Sequence, residues 1–224
     1  MGARPTHRDC HATDLLNPDI FCIYCLLRKE VDQKCCNTLY LGVQSSHIFA
    51  RSNSDGSSAM PTVLFVCTAN RFRSPIAVAA FQKKLRNEGI EGWQVGSAGT
   101  WTDPGLPPAP VAVQAARQLG VSLDGHASRL VNAALLSGYD LILVMEMGHK
   151  EALESEFPAV QNRVFLLSEV VDGMLYDIPD PALSEESSPQ EIANEVCNLV
   201  WKGFHNICLQ AERLGRARNS TKSA

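Results

Sequence analysis

A cysteine and an arginine, six residues apart, stand where this sequence passes from a strand-like run to a helix-like one. Cys67 follows the apolar run 62–66, and Arg73 precedes Ser74-Pro75 and an alanine-rich segment. We expect Ser74 to cap that helix with its hydroxyl and Pro75 to take the first helical position. Free main-chain N–H groups and the helix dipole then favour a bound anion and a thiolate at Cys67. Arg73 adds a planar cation that matches phosphate oxygens, so the loop is predicted to bind phosphate beside a reactive cysteine.

The spacing alone is weak support, because a second pair of residues in the chain has it as well. Cys22 and Arg28 are also six apart, yet they lie within an apolar run that lacks small loop residues and a capping serine. We interpret that pair as a chance match. The pair Cys67 and Arg73 differs from it in three ways: a strand precedes Cys67, a polar loop follows it, and Ser-Pro begins a helix after the loop.

The composition is that of a globular protein with an ordinary core. Of 224 residues, 45% are hydrophobic and 20% are charged, which is typical of one main domain. The net charge of -4 gives no electrostatic support for nucleic-acid binding, and no apolar run reaches the length of a membrane span. The eight cysteines are spaced too unevenly for a secreted disulfide framework. We therefore expect a cytoplasmic protein.

Residues 1–60 differ from the rest of the chain. They contain five of the eight cysteines and end in a serine-rich, linker-like stretch, 51–59, so a domain boundary is predicted near Met60. A zinc site is one interpretation of this extension, and a disordered leader or a start codon assigned too early are the others. The candidate zinc ligands are Cys10, His11, Cys22, Cys25, Cys35 and Cys36. After the extension we expect one domain over 61–214 and a basic, flexible tail over 215–224.

From residue 62 onward, strand-like and helix-like segments alternate. Strands are predicted over 62–66, 93–98, 139–145 and 163–167, and helices over 75–87, 111–119 and 148–155. A capping box, Ser188-Pro189-Gln190-Glu191, opens a last, long amphipathic helix that runs to about Leu214. The alternation predicts an α/β fold with a mostly parallel sheet covered on both faces. Ligands of such sheets bind at the carboxyl ends of the strands, which is where the Cys67 loop lies.

Five motifs give the sequence a family resemblance. They are 66–75 (VCTANRFRSP), 97–100 (SAGT), 125–129 (GHASR), 140–145 (DLILVM) and 177–181 (DIPDP). In this order they resemble the low-molecular-weight protein tyrosine phosphatases, a family that also includes protein arginine phosphatases and, more distantly, arsenate reductases. The resemblance covers the chain from Met60 to about Leu214. It implies a three-layer, flavodoxin-like α/β sandwich with a four-stranded parallel sheet.

The resemblance also implies a reaction and a set of site residues. A phosphomonoester is hydrolysed through a phosphocysteine, with Cys67 as the nucleophile, Arg73 as the phosphate clamp and Asp180 as the general acid, without metal or cofactor. The expected substrate is a phosphotyrosine protein or a small aryl phosphate, and Trp101 is expected to form an aromatic wall of its pocket. The other phosphate-loop and supporting residues are Thr68, Ala69, Asn70, Arg71, Phe72, Ser74, Ser97 and His126, with His126 in a structural role.

Three loop positions depart from the family pattern. Ala69 replaces a usual glycine, a residue that tolerates positive φ, so we expect a tighter or strained loop there. Phe72 stands where a second cysteine is common, so no resolving thiol lies within the loop. Arg71 places a cation at the rim, which we expect to repel phosphoarginine and to stack on a phosphotyrosine ring. The alternative is that Arg71 points to solvent and selects nothing.

The substrate is less well defined by the sequence than the reaction. Ala182 stands where many relatives carry an aromatic residue, so one wall of a phosphotyrosine pocket is expected to be missing. The alternatives are a protein arginine phosphatase, an arsenate reductase of the same fold, and a phosphate-binding module without turnover. Arsenate reduction needs a relay of thiols, and no cysteine lies between Cys67 and Cys197. The presence of nucleophile, clamp and acid together argues against the loss of turnover.

Overall fold

The computed structural model describes residues 60–222, so the extension 1–59 with its candidate zinc ligands lies outside the described residues. Each strand and helix predicted between 62 and 167 is present, with its ends shifted by a few residues. Short helices α3 and α5 and one 3-10 helix were not predicted. In chain order the elements are β1 Thr62–Cys67, α1 Arg73–Asn87, β2 Gln94–Gly99, α2 Pro110–Gln118, α3 Ala133–Ser137, β3 Leu141–Val144, α4 Met147–Glu156, the 3-10 helix Pro158–Arg163, β4 Val164–Leu166, α5 Leu167–Asp172, α6 Pro189–Lys202 and α7 Phe204–Lys222.

Four parallel strands form one sheet in the order β2-β1-β3-β4. Every residue of β1 and of β3 is buried, as expected for central strands that are covered on both faces. The pairing of β1 with β2 ends at Cys67 and Gly99, and its pairing with β3 ends at Val66 and Val144. The carboxyl ends of three strands therefore meet where the Cys67 loop leaves the sheet. The predicted α/β sandwich with a four-stranded parallel sheet is confirmed.

Successive residues of β1 belong to two separate cores. Val63 and Phe65 lie in the core that includes α1, α6 and α7, whereas Leu64 and Val66 lie in the core formed with α3, α4 and the 3-10 helix. This alternation follows from the two-residue period of a strand, and it makes the sheet the middle of three layers. No helix within residues 60–222 has the length and apolar character needed to cross a membrane.

The last helix is broken, although one continuous helix was predicted. Helix α6 begins at the predicted capping box, in which Ser188 Oγ accepts from the Glu191 N–H and Glu191 Oε2 accepts from the Ser188 N–H. Helix α6 ends and α7 begins on either side of Gly203. A Cβ atom built on Gly203 would lie 2.2 Å from Cγ2 of Val171, so α5 approaches the break too closely for any side chain. The apolar pattern continues through the break, and periodicity alone therefore did not reveal it.

Helix α7 includes most of the segment that was predicted to be a flexible tail. It extends to Lys222, and Arg218 Nη1 donates to Asp140 Oδ1 at 2.6 Å while Nη2 donates to the Ser137 carbonyl at 2.8 Å. The other oxygen of Asp140 accepts from the main-chain N–H and the hydroxyl of Thr62, at 3.1 and 3.0 Å. The start of β1, the residue before β3 and the end of α7 thus meet at one buried carboxylate. The basic composition of residues 215–222 gave no indication of this ion pair.

Candidate active site

Cys67 is the last residue of β1, and its thiol lies against the first turn of α1. Its side chain is 2% exposed, and its Sγ lies 3.0 Å from Ser74 Oγ. Helix α1 begins at Arg73 without a side-chain cap, and Pro75 is the third helical residue. The predicted helix cap was therefore wrong. Ser74 lies inside the helix, where its hydroxyl contacts Cys67 and accepts a hydrogen bond from Asn70 Nδ2 at 2.9 Å.

Asn70 holds the bend of the loop. Its φ of 53° is the one positive value at a non-glycine position within the described range. Besides donating to Ser74, its side chain accepts at Oδ1 from the Arg129 N–H at 2.9 Å, and its carbonyl meets His126 Nε2 at 2.7 Å. The strain that was expected at Ala69 is instead carried by Asn70, a residue type that tolerates the left-handed region. Ala69 is exposed and has an ordinary φ.

His126 acts as a neutral hydrogen-bond donor to the loop. A carbonyl only accepts, so the hydrogen must be on Nε2, which faces the Asn70 carbonyl. Burial lowers the pKa of His126, and Arg129 lowers it further, while the hydrogen bond to Asn70 acts in the opposite direction. The ring is thus uncharged and hydrogen-bonded to the loop, and the structural role expected of His126 stays a prediction.

Arg129 supports the loop although its role was not predicted. Its Nε and Nη2 donate to the Ser97 carbonyl at 3.1 and 2.9 Å, so Ser97 contributes through its main chain. Gly99 follows on the same strand, and a Cβ atom there would lie 2.6 Å from the Thr68 carbonyl oxygen. Strand β2 can approach the loop this closely only with glycine. Arg129 is the last residue of the 125–129 motif, and membership of that motif was the only indication in the sequence of its role.

The guanidinium of Arg73 is buried among acceptors from four different residues. Nη1 donates to the carboxylate of Glu146 and, at 2.8 Å, to the Ile178 carbonyl. Nη2 donates to the carboxylate of Asp180 and, at 3.1 Å, to the Thr68 hydroxyl. The side chain is 1% exposed, and its Nε–H has no acceptor within residues 60–222. Two carboxylates therefore share one buried cation, and one N–H group remains available.

The two aspartates of the 177–181 motif have different surroundings. Asp180 reaches Arg73, and its Oδ1 accepts from the Ala182 N–H at 2.9 Å. Asp177 instead accepts from the Met147 N–H at 2.7 Å, which satisfies the first N–H group of α4. The structure thus places Asp180 at the guanidinium and Asp177 at a helix start.

Glu146 and His149 also belong to the site, and sequence reasoning missed both. His149 is 6% exposed, and its Nε2 lies 3.0 Å from Thr68 Oγ1 and 3.9 Å from Glu146 Oε1. Burial lowers the pKa of His149, and the charge of Glu146 opposes that shift. Its Nδ1 is buried and has no hydrogen-bond partner among the described residues. Both residues follow the carboxyl end of β3, and this position was the only sequence signal for them.

The other predicted residues lie around the loop. Trp101 is 82% exposed, and its main-chain N–H donates to the Thr68 carbonyl at 3.0 Å, so its ring lies free beside the loop. Arg71 is half-buried, and its Nε donates to the Pro107 carbonyl at 2.9 Å. The structure thus anchors Arg71 beside the loop by one exposed hydrogen bond, and whether Arg71 selects the substrate stays a prediction. Phe72 is buried in the core on the α1 side of the sheet, away from solvent.

The arrangement brings together a sulfur, a cation and a carboxyl group at the carboxyl end of the sheet. The first turn of α1 adds main-chain N–H groups, which favour an anion of the size of phosphate. No group of histidine, cysteine or acidic side chains within residues 60–222 has an arrangement suited to a metal ion.

Known proteins with similar sequences share this site-bearing region. The family model described as low molecular weight phosphotyrosine protein phosphatase matches residues 62–218. A putative low molecular weight protein-tyrosine-phosphatase of Klebsiella pneumoniae is 35% identical over 142 residues, which are 62% of this chain and 94% of the relative. A protein-arginine-phosphatase of Bacillus subtilis is 36% identical over 119 residues, which are 53% of this chain and 78% of the relative.

Solved structures give the same result. The low molecular weight protein tyrosine phosphatase from T. tengcongensis has a TM-score of 0.59 at 32% identity, covering 65% of this chain and 98% of its own. A YwlE arginine phosphatase mutant with a phosphorylated active-site serine has a TM-score of 0.61 at 30% identity, covering 68% of this chain and 99% of its own. With the family model matching most of the chain, the protein belongs to the low-molecular-weight phosphotyrosine protein phosphatase family.

Proposed function

We propose that this phosphatase hydrolyses phosphotyrosine, or a similar aryl phosphate, through a phosphocysteine at Cys67. Family membership gives the reaction class, and the residue roles are our assignment. The contact between Arg73 and Asp180 is the observation that carries this assignment. It brings the loop of the nucleophile and a carboxyl group from a distant segment to the same guanidinium, as a two-step displacement requires.

In the first step, the Cys67 thiolate attacks phosphorus while the aryl oxygen leaves. Ser74 Oγ accepts from Asn70, and its own hydrogen has two acceptors in reach, the sulfur at 3.0 Å and the Ala98 carbonyl at 3.4 Å; the shorter contact is the one to the sulfur. The start of α1 adds a favourable field for the negative sulfur. An S–P bond forms as the P–O bond breaks, and protonated Asp180 gives its hydrogen to the leaving oxygen, so that a neutral phenol departs.

Substrate binding requires Asp180 to leave Arg73. A phosphate dianion that binds the guanidinium in a bidentate manner takes the free Nε–H and the Nη2 hydrogen that Asp180 holds. Glu146 can then keep Nη1, and Thr68 can keep the other Nη2 hydrogen. The phosphate then supplies the negative charge that Arg73 needs, and Asp180, once displaced, can approach the leaving oxygen.

In the second step, water attacks the phosphocysteine. Asp180, now ionised, takes a proton from that water, the new O–P bond forms and the S–P bond breaks. Inorganic phosphate leaves and the Cys67 thiolate is restored. Arg73 and the loop N–H groups stabilise the transferred group in both steps, so one site serves both halves of the reaction.

Hydrolysis of p-nitrophenyl phosphate in EDTA tests this mechanism. We expect turnover by the wild type and a loss of about a thousandfold or more in Cys67→Ser, because the nucleophile is removed. Activity that survives in Cys67→Ser would remove Cys67 from its role. A folded wild type that binds phosphate without turnover would instead favour the phosphate-binding module.

Phosphoarginine is the second candidate substrate, because a relative 36% identical to this chain is a protein-arginine-phosphatase. Against it, the hydrogen bond from Arg71 to Pro107 fixes a cation beside the loop, where it would repel a substrate guanidinium. Two peptides of equal sequence, one with phosphotyrosine and one with phosphoarginine, separate the candidates. We expect the higher kcat/KM for phosphotyrosine, and a preference for phosphoarginine would overturn this part of the proposal.

We also propose a cytoplasmic location, because the mechanism needs Cys67 as a reduced thiol. Reducing compartments keep thiols in that form, and Cys67, Cys197 and Cys208 are free cysteines in the structure. Fractionation of cells that produce the full chain tests the location. Recovery of the enzyme outside the cytoplasm would contradict it.

A further inference from the structure

The two ring nitrogens of His149 have unequal surroundings. Nε2 lies near the oxygens of Thr68 and Glu146, at 3.0 and 3.9 Å, whereas Nδ1 is buried without a partner within residues 60–222. Burial lowers the pKa of His149, so the ring is neutral at pH 7 and carries one hydrogen. On Nδ1 this hydrogen would be a buried donor without an acceptor, which proteins avoid more strictly than an unpaired acceptor. The hydrogen therefore belongs on Nε2.

This tautomer fixes the direction of the Thr68 hydroxyl. The Nε2–H of His149 donates to Oγ1, and so does Nη2 of Arg73 at 3.1 Å, because a guanidinium only donates. A threonine hydroxyl has two lone pairs and one hydrogen, so both lone pairs are occupied and the hydrogen remains. No acceptor for that hydrogen lies within hydrogen-bonding distance in the part of the chain that the structure describes.

The position of Thr68 indicates where that hydrogen goes. Thr68 directly follows the nucleophile, and its hydroxyl contacts the guanidinium nitrogen from which a phosphate would displace Asp180. With the opposite polarity, the hydrogen would point at His149 and leave a lone pair of the hydroxyl free. A free lone pair would repel the phosphate, whereas a free hydrogen attracts it.

We propose that the Thr68 side chain donates a hydrogen bond to a non-bridging phosphate oxygen, and that His149 is the positioning residue that orients this hydroxyl. The inference rests on the proposed function of the Cys67 loop. Glu146 then has two roles. It pairs with Arg73, and its carboxylate also faces Nε2 of His149 and favours the hydrogen on that nitrogen. Thr68 then acts on the phosphate group itself, whichever leaving group the substrate carries.

Matched substitutions at both positions test the pair. Thr68→Val removes the hydroxyl at nearly constant shape and Thr68→Ser keeps it. His149→Gln retains an amide donor near the place of Nε2, whereas His149→Asn places its amide near that of Nδ1. We expect kcat/KM for p-nitrophenyl phosphate, and the affinity for inorganic phosphate, to fall about ten- to one-hundredfold in Thr68→Val and His149→Asn. Thr68→Ser and His149→Gln should retain most of both.

The double variant Thr68→Val/His149→Asn shows whether His149 acts through Thr68. If it does, the double variant is no worse than Thr68→Val, because the orienting partner has nothing left to orient. Losses that multiply would overturn the positioning role. A Thr68→Val enzyme with wild-type kcat/KM and phosphate affinity would overturn the hydrogen bond to phosphate.

The tautomer can be measured without any turnover. In ¹⁵N NMR of the wild-type full chain, the Nδ1 resonance of His149 should be that of an unprotonated nitrogen and Nε2 that of a protonated one. The reverse assignment would overturn the inference even if every variant failed to fold. Failure of the proposed function is distinguishable, because it shows as turnover that survives Cys67→Ser, with the His149 tautomer unchanged.

Discussion

Two groups of residues hold the site, and they do so by different means: the first, called the loop-support side, uses hydrogen bonds among amides, hydroxyls, carbonyls and a neutral imidazole, and the second, called the acid side, uses carboxylates paired with Arg73. The loop-support side consists of Asn70, Ser74, His126 and Arg129, with hydrogen bonds of 2.7 to 2.9 Å around Asn70. The acid side consists of Glu146, His149 and Asp180, and it includes the unpaired Nδ1.

The difference shows how one guanidinium serves two purposes. The loop-support side fixes the backbone around the anion site by contacts that a substrate need not disturb. The acid side neutralises Arg73 with charges that a phosphate must replace, at least in part. We therefore expect substitutions on the loop-support side to lower stability and activity together, whereas those on the acid side should change activity with little cost in stability.

The largest effect should come from Asp180→Asn. An amide cannot give or take a proton, so kcat for phenyl phosphate should fall by about a hundred- to ten-thousandfold. The free energy of unfolding should change little, because Glu146 still pairs with Arg73. Asp177→Asn is the matched control, since Asp177 caps α4. A loss in the control as large as that in Asp180→Asn would move the acid to Asp177.

Asn70→Ala should be the most damaging change on the loop-support side. Alanine loses the bonds to Ser74 and Arg129 and has to adopt a φ of 53°, for a cost of about 2–4 kcal/mol in unfolding free energy. Urea unfolding measures it. Asn70→Gly keeps the loss of hydrogen bonds but relieves the backbone, so it should be about 1 kcal/mol more stable than Asn70→Ala. Equal stability of wild type and Asn70→Ala would contradict the expectation that substitutions on the loop-support side lower stability.

Acidification should weaken both sides through their histidines. The pKa values of His126 and His149 are lowered in the fold, so below about pH 6.5 the unfolded chain binds more protons than the folded one. The free energy of unfolding is therefore not reduced by these histidines above that pH, and it decreases as the pH falls toward their pKa values in the folded state. Each histidine adds at most about 1.4 kcal/mol per pH unit to the slope.

Urea unfolding between pH 7 and 5 checks this effect of acid. The slope should be smaller in His126→Gln and in His149→Gln than in the wild type. A wild-type stability that rises toward pH 5 would contradict the direction of both shifts.

The smallest effect should come from Glu146→Gln. The amide oxygen still accepts from Arg73 and can still face Nε2 of His149, but one negative charge near the phosphate site is gone, and the repulsion it removes is about 1 kcal/mol. Inorganic phosphate should therefore inhibit about fivefold more strongly, with kcat nearly unchanged. Competitive inhibition constants provide the measurement. Weaker inhibition in Glu146→Gln would mean that Glu146 orients Arg73 more than it competes with the substrate.

The sequence predicts the loop-support side far better than the acid side. Asn70, Ser74 and His126 lie in motifs with recognisable residue order, and their contacts follow from the strand ends that the alternation of elements brings together. Glu146 directly precedes α4 and His149 lies in its first turn, and their role depends on contacts with Arg73 and Thr68, which are far away in sequence. No local sequence pattern indicates that Nδ1 of His149 lacks a hydrogen-bond partner.

Local rules failed where tertiary contacts outweigh them. The Ser-Pro pair at 74–75 indicates a helix cap, but Cys67 and Asn70 both contact the serine hydroxyl, and the helix starts at Arg73, two residues earlier than predicted. The apolar period across Gly203 indicates one helix, but the approach of Val171 sets the break. In both cases the deciding partner lies elsewhere in the sequence.

The ion pair of Asp140 can form only late during synthesis of this enzyme. Thr62 and Arg218 are each 78 residues from it, on opposite sides in the sequence. A chain leaves the ribosome from its N-terminus, so the strand that carries Cys67 emerges first and the arginine that completes the ion pair emerges last. A chain that stops before residue 218 contains every motif of the active site, yet it leaves Asp140 without this partner. The ion pair that completes the domain therefore forms only after the segment that carries Arg218 has been synthesised.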